Sequence, residues 1–226
     1  VLRLLPLLRA RRRSRIDVAV ITHPHPDHMG GLGAVLRGVS VGEIWDSGQA
    51  IEEAPDGAWA RVQRGWLAPR RGPASVCGPA RERAGARVEV LWPCPAFDPG
   101  WDENDNSLVL RITHGTRTFL LLGDAESHTE RSLAPRLGRA DVVKVGHHGS
   151  RTSSTPELVG ATRPWLAVMS AGPGNRYGHP HPEVVDRWGE SGAHVARTDR
   201  DGSVTVWTDG RALRFETWSG RRAEAP

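Results

Sequence analysis

The stretch Ile16-Asp17-Val18-Ala19-Val20-Ile21-Thr22-His23-Pro24-His25-Pro26-Asp27-His28-Met29-Gly30-Gly31-Leu32 decides how this sequence is read. Its first seven residues are rich in β-branched side chains and predict a strand. Three imidazoles and a carboxylate follow within six residues, donors of borderline softness that suit zinc or manganese. His23 and His25 alternate along an extended segment, so both can point at one ion. Asp27 and His28, at the start of a helix, can turn toward a second. Pro24 and Pro26 stiffen the segment and lower the entropy lost on binding.

Outward from this stretch, strands alternate with helices. A helix is expected from Met29 to Arg37 despite its glycines, then a strand from Val41 to Trp45. Residues 49–87 read as a surface excursion, helical at first and then rich in Arg, Gly and Pro. Strand character returns at Arg87 to Leu91. Ser107 to Thr113 and Thr116 to Leu122, separated by His114-Gly115, suggest a hairpin. Helices are expected from about Glu126 to Leu137, after Thr155-Pro156, and from Pro182 to Trp188. Asp141 to Val145 and Trp165 to Met169 read as strands. The end, His194 to Trp218, reads as strands joined by Asp201-Gly202 and Asp209-Gly210 turns. Strands after Ile21, Leu122, Val145 and Met169 all run into loops bearing His or Asp, an organisation around one site. The whole of 1–226 reads as a single domain.

His23-x-His25-x-Asp27-His28 followed by Gly30-Gly31-Leu32 is similar to the signature of the metallo-β-lactamase superfamily. Asp141-Val142-Val143-Lys144-Val145-Gly146-His147-His148-Gly149-Ser150-Arg151-Thr152-Ser153-Ser154 and Asn175-Arg176-Tyr177-Gly178-His179-Pro180-His181-Pro182 resemble the corresponding segments of the ComEC competence proteins. The likeness runs from about Leu5 to Thr208, with 49–87 matching poorly. It implies an α/β fold, the four-layer αββα sandwich, here lacking its first N-terminal strands and so leaving a sheet edge open. It also implies a hydrolase with two divalent ions, Zn or Mn. His23 and His25 would hold one ion; Asp27, His28 and His147 would hold the other; Asp124, in Leu122-Gly123-Asp124, would bridge. His147 is favoured by its place after strand and glycine, though His148 can take that role or contact substrate. The substrate implied is a phosphodiester, single-stranded DNA in competence-type uptake. Asp27 and Asp124 would then be catalytic, with Asp27 orienting the attacking hydroxide. His179 would contact a phosphate or protonate a leaving group, unless it only forms the turn before the Pro182 helix. Ser150 and Arg151 would bind phosphate oxygens. Where many superfamily members carry another His, this chain has Asp102-Glu103-Asn104-Asp105-Asn106, so Asn104 becomes a weak ligand or substrate contact and manganese gains plausibility.

Composition limits the alternatives. Hydrophobic residues at 38% and charged residues at 25% fit an ordinary folded protein, and no run has the length of a spanning helix. A net charge of +4 and a pI near 10.0 allow an anionic partner, although nearly all the basic residues are Arg. Cys77 and Cys94 read as structural or incidental thiols. The chain starts at Val1 with an apolar stretch ahead of its basic residues, the reverse of a signal peptide, and reads as beginning part-way through a longer protein. A free chain would stay in the cytoplasm; the tail of a ComEC-like membrane protein would lie outside the cytoplasmic membrane. Two other functions remain in view: hydrolysis of a small ester or phosphodiester, and an inactive, truncated remnant that binds nucleic acid.

Overall fold

In the computed structural model, which describes residues 4–49 and 69–226, the strand that precedes the histidines is β1 (Arg15–Ile21), preceded by the short helix α1 (Leu4–Ala10). β1 pairs in parallel with β2 (Ser40–Asp46), and β2 with β3 (Arg70–Arg71). β1 therefore lies at the edge of a three-stranded sheet. The helix expected from Met29 to Arg37 is two helices, α2 (Pro26–Met29) and α3 (Leu32–Gly38), because the chain breaks at Gly30-Gly31. Two adjacent glycines carry the largest backbone entropy cost of any ordinary helical pair, so the break falls there.

The second sheet has seven strands: β4 (Arg81–Arg83), β5 (Ala86–Trp92), β6 (Val109–His114), β7 (Arg117–Leu121), β8 (Val142–Lys144), β9 (Leu166–Met169) and β10 (His194–Arg197). β4 to β7 are antiparallel neighbours and include the expected hairpin at His114-Gly115; β7 to β10 are parallel. The parallel half is connected through helices α5 (Ser127–Leu137), α6 (Pro156–Thr162) and α7 (Pro182–Glu190). A third sheet, β11 (Val204–Thr208), β12 (Leu213–Thr217) and β13 (Arg222–Glu224), closes the chain after the short helix α8 (Thr198–Asp201).

Alternation along the strands sets the layers. Leu120, Leu122, Val143 and Ala167 face the helices and pack with Leu133, Leu158, Val184 and Trp188. On the opposite face Val90, Leu108 and Leu110 meet Trp45 of β2, while Val142 and Leu166 meet Leu213 and Phe215 of β12. Met29 and Leu32 cover the outer side of β1 and β2 through Ile21 and Ile44. Helix, sheet, sheet and helix follow one another, the αββα sandwich.

The described part of the stretch read as a surface excursion is more ordered than its composition suggests. The helical portion expected early in it lies outside the described residues, but residues 70–87 hold β3, a short helix α4 (Pro73–Val76) and β4, and Val76 is buried between the sheets. The two cysteines are also not free thiols: Cys77 and Cys94 are joined in a disulfide, with Cα atoms 5.7 Å apart. Seventeen residues apart in sequence, they become neighbours only because α4 folds back on the end of β5.

Glu130, fully buried on α5, is the least expected feature of the core. Its carboxylate accepts the backbone N–H groups of Ser154 (2.7 Å) and Thr155 (2.6 Å), fixing the segment between Gly149 and α6. Burial outweighs these hydrogen bonds and raises its pKa to about 7. A carboxyl raised in the folded state contributes its full stability below the unfolded value of 4.5 and loses it as pH rises through about 7. We expect wild type to lose stability relative to Glu130→Gln between pH 5 and pH 8 in urea titrations. A pH-independent difference between the two would contradict this. Glu130→Ala, which strands two buried donors, should cost about 2–5 kcal/mol at pH 5 and less at pH 8.

Candidate metal centre

All the strand ends singled out in the sequence point to one place. β1 delivers Thr22 and His23, and α2 carries Asp27 and His28 back over them. β7 leads through Leu122 to Gly123 and Asp124; β8 leads to the 3₁₀ turn Gly146–Gly149. Gly123 has φ +56°, and a Cβ there would lie 2.8 Å from Ser107 Cβ and 2.9 Å from Thr22 Cβ. Only glycine lets three loops approach this closely.

Asp124 is at the centre and is 2% exposed. Its Oδ2 lies 3.1 Å from His28 Nε2, 3.2 Å from His148 Nε2 and 3.9 Å from His23 Nε2. His148 Nε2 is also 3.2 Å from Asp27 Oδ2 and 3.1 Å from His28 Nε2. One donor atom each from Asp27, His28, Asp124 and His148 falls within 4.8 Å of the others.

Tautomers follow from what lies behind the rings. His148 Nδ1 is 2.6 Å from the Ser170 carbonyl, which can only accept, so this nitrogen carries a proton and, in the neutral ring, Nε2 presents a lone pair. His28 and His23 both place Nδ1 3.2 Å from Thr22 Oγ1, and His23 Nδ1 is also 3.2 Å from Ser107 Oγ. With those Nδ1 atoms donating to the hydroxyls, both Nε2 atoms would face inward as lone pairs. Imidazole nitrogens and carboxylate oxygens thus converge on one point, and His23 Nε2 is buried there without a hydrogen-bond partner. Such a cluster needs a cation. The residues therefore fit a divalent metal ion, with nitrogen and oxygen donors and rings oriented from behind by hydroxyl and carbonyl groups.

The electrostatics single out the same groups. Burial, then His28, lower the His23 pKa to about 2, so it is a neutral ligand-ready imidazole. For Asp124 burial works toward protonation, but His148, His28 and Lys144 outweigh it and hold the carboxylate ionised. At His148 burial is outweighed by the contacts with Asp124, which raise its pKa, so that without an ion a proton is favoured between these two groups.

Not every residue expected at the site joins the cluster. The backbone turns through φ +42° at His147 and +53° at His148, left-handed values worth roughly 1–2 kcal/mol of strain each, and this turn swings the two rings apart. His148 enters the cluster; His147 pairs with Glu126 Oε1 at 2.7 Å. Asn104 also donates to Glu126 Oε1, at 3.2 Å, so Asn104, Glu126 and His147 form a second group beside the first. Asp102, Asp105 and Glu126 bring three carboxylates together there. His25 packs edge-on against His23, ring centroids 4.6 Å apart, outside the four converging donors. Ser150 is bonded to Thr152, and Arg151 is turned to Glu183 at 2.9 Å. His179 sits at the rim, its ring 5.6 Å from His147 and 6.5 Å from His148, with exposed Tyr177 stacked on it at 5.8 Å. Burial and the neighbouring histidines lower its pKa.

Thr22, Ser107, Glu126 and Lys144 are at the site without having been assigned a role from the sequence. Only Lys144 carried a signal of its own, as the one lysine among 30 basic residues. From Lys144, Thr22 and His28 an apolar groove of about 590 Å³ extends between the sheets past Val20, Trp45, Leu110 and Leu121.

The sequence model of the Metallo-beta-lactamase superfamily matches residues 2–172. This chain belongs to that superfamily. It is 31% identical over 221 residues to ComE operon protein 3 of Bacillus subtilis (strain 168), covering 95% of this chain and 27% of that protein. It is 32% identical over 204 residues to Competence protein ComA of Neisseria gonorrhoeae, covering 89% of this chain and 26% of the relative. The chain thus spans about a quarter of the curated relatives it matches. Among solved structures, the metallo-beta-lactamase fold protein YhfI from Bacillus subtilis superposes with a TM-score of 0.51 at 13% identity, covering 93% of this chain and 78% of that one. A CmlA beta-hydroxylase mutant superposes with a TM-score of 0.52 at 17% identity, covering 81% and 43%. Both likenesses concern the fold.

If His148 rather than His147 completes the converging set, His148→Ala should bind Mn²⁺ or Zn²⁺ at least about tenfold more weakly, while His147→Ala keeps near wild-type uptake. Equilibrium dialysis with metal analysis reads both, and the reverse order would contradict the assignment.

Proposed function

We propose that this superfamily hydrolase cleaves phosphodiester bonds, with single-stranded DNA as substrate and two divalent ions as cofactors. The observation that carries the reading is the convergence of nitrogen and oxygen donors from Asp27, His28, Asp124 and His148, brought together by three separate chain segments. His23, against Asp124, and His25 beside it are assigned to the other ion. Bound divalent ions supply Lewis-acid polarisation of a phosphoryl oxygen and lower the pKa of an attacking water.

The chain's own groups do the rest. Asp27, exposed at 63% of its side chain, is placed to accept a proton from the attacking water and orient it. Asp124 stays ionised and fixes the positions of His28 and His148. His179, kept neutral, serves better as a hydrogen-bond donor to a phosphate oxygen than as a proton donor to the leaving group. Arg151 is exposed at the edge of the same loop and can exchange Glu183 for a phosphate.

DNA as the substrate is supported by the competence relatives and by the basic balance of the chain. Among the described residues no helix is long and apolar enough to cross a membrane. Attached to a longer membrane protein the domain would lie outside the cytoplasmic membrane, and the Cys77–Cys94 disulfide belongs with an oxidising compartment. The apolar groove favours a second reading, hydrolysis of a smaller ester with an apolar group seated between the sheets.

Labelled single-stranded DNA should be cut in the presence of Mn²⁺ or Zn²⁺ and left intact in EDTA. Asp124→Ala and Asp27→Ala should each lose at least about a hundredfold in rate. Folded protein that leaves DNA intact with every metal, yet hydrolyses a small chromogenic ester, would replace this reading with the second.

A further inference from the structure

Lys144 is the one lysine in a chain whose other 29 basic residues among Lys and Arg are all arginine. It stands at the end of β8, within three residues of the His147-His148 turn, and its ammonium faces the side of Asp124 that the histidines do not occupy. Nζ donates to the Gly123 carbonyl at 2.7 Å and lies 3.5 Å from Asp124 Oδ1. The imidazoles gather on Oδ2 alone. The same Gly123 carbonyl accepts the His147 backbone N–H at 3.3 Å, so the lysine is tied to both loops that meet at the centre.

We propose that Lys144 is a positioning residue that confines Asp124 to a single metal-facing oxygen, Oδ2, by holding Oδ1 with its charge. The proposal rests on the metal-hydrolase reading above and deepens it. A carboxylate free on both sides offers an ion either oxygen, or both in a chelate. With a cation fixed against Oδ1, and the rotation of the side chain stopped by the Gly123 tie, only Oδ2 is left for metal. A compact ammonium suits this task. It meets one carbonyl and one carboxylate oxygen from a flexible stem, whereas a guanidinium presents a wide planar fork made for two oxygens at once. That difference gives a physical reason for lysine at this position in an otherwise arginine-only chain.

The test uses Co²⁺, whose visible absorption reports coordination number and geometry, in the whole 226-residue chain. Metal-free protein is titrated with Co²⁺ as wild type, Lys144→Met and Lys144→Gln, with circular dichroism confirming the fold of each. Methionine fills the space of the stem without charge or donor; glutamine restores a donor for the Gly123 carbonyl but not the charge. We expect both variants to bind Co²⁺ roughly 10–100-fold more weakly, as when other outer partners of metal ligands are removed, and with a changed visible spectrum. Wild-type affinity and spectrum in Lys144→Gln would overturn the proposal, since the lysine would then be only a tie for the Gly123 carbonyl. Should Lys144→Met fail to fold, Lys144→Gln alone decides by the same criterion. Wild type that takes up no Co²⁺ at all would overturn the metal reading itself, and this proposal with it.

Discussion

The structure depends on one buried negative charge. An ionised carboxylate at 2% exposure would be prohibitively costly alone, and the molecule offsets that cost with imidazoles on Oδ2 and an ammonium near Oδ1 of Asp124. The neighbours come from two strand ends, His23 and His28 after β1, His148 and Lys144 from β8, and Asp124 itself follows a third, β7. The sheets supply rigidity, and the loops supply chemistry. This division explains why the fold can accept two strained left-handed histidines in succession between Gly146 and Gly149.

Order behind the site matters as much as order within it. Thr22, Ser107 and the Ser170 carbonyl hold the outer nitrogens of three rings, so the inner nitrogens need no rearrangement before a cation arrives. Further out, Glu130 holds the loop that follows Gly149. A hydrophobic face of the seven-stranded sheet packs against the helices that carry Glu130 and Trp188, joining the metal-facing loops to the core. The chain of dependence therefore runs from core packing to loop geometry, then to ring orientation, and only at the end to donor atoms.

Much of this was legible because local sequence carried it. A β-branched run ending in His23-Pro24-His25-Pro26-Asp27-His28 announces both a strand and its chemistry, and Gly123-Asp124 gains meaning from its place between the two histidine motifs. What stayed hidden depends on contacts distant in sequence or on backbone angle. Which of the His147 and His148 rings turns toward Asp124 goes with two positive φ values that no spacing rule reveals. The pairing of Cys77 with Cys94 requires α4 to fold onto the end of β5, inside a stretch whose Arg, Gly and Pro content suggested only a surface loop. Glu126 and Glu130 look like ordinary polar positions at the start of a helix; one turns to His147 and Asn104, and the other into the core. Lys144 was visible as an oddity of composition, but its meaning appears only beside Asp124.

The central claim is that the acceptor atoms around Asp124 Oδ2 are arranged for a divalent cation. Crystals of the protein soaked in Mn²⁺, with diffraction recorded for anomalous signal, test it most directly. The account predicts an anomalous peak among Asp27, His28, Asp124 and His148. An empty position there, with the ion instead among Asp102, Asp105 and Glu126, would contradict it.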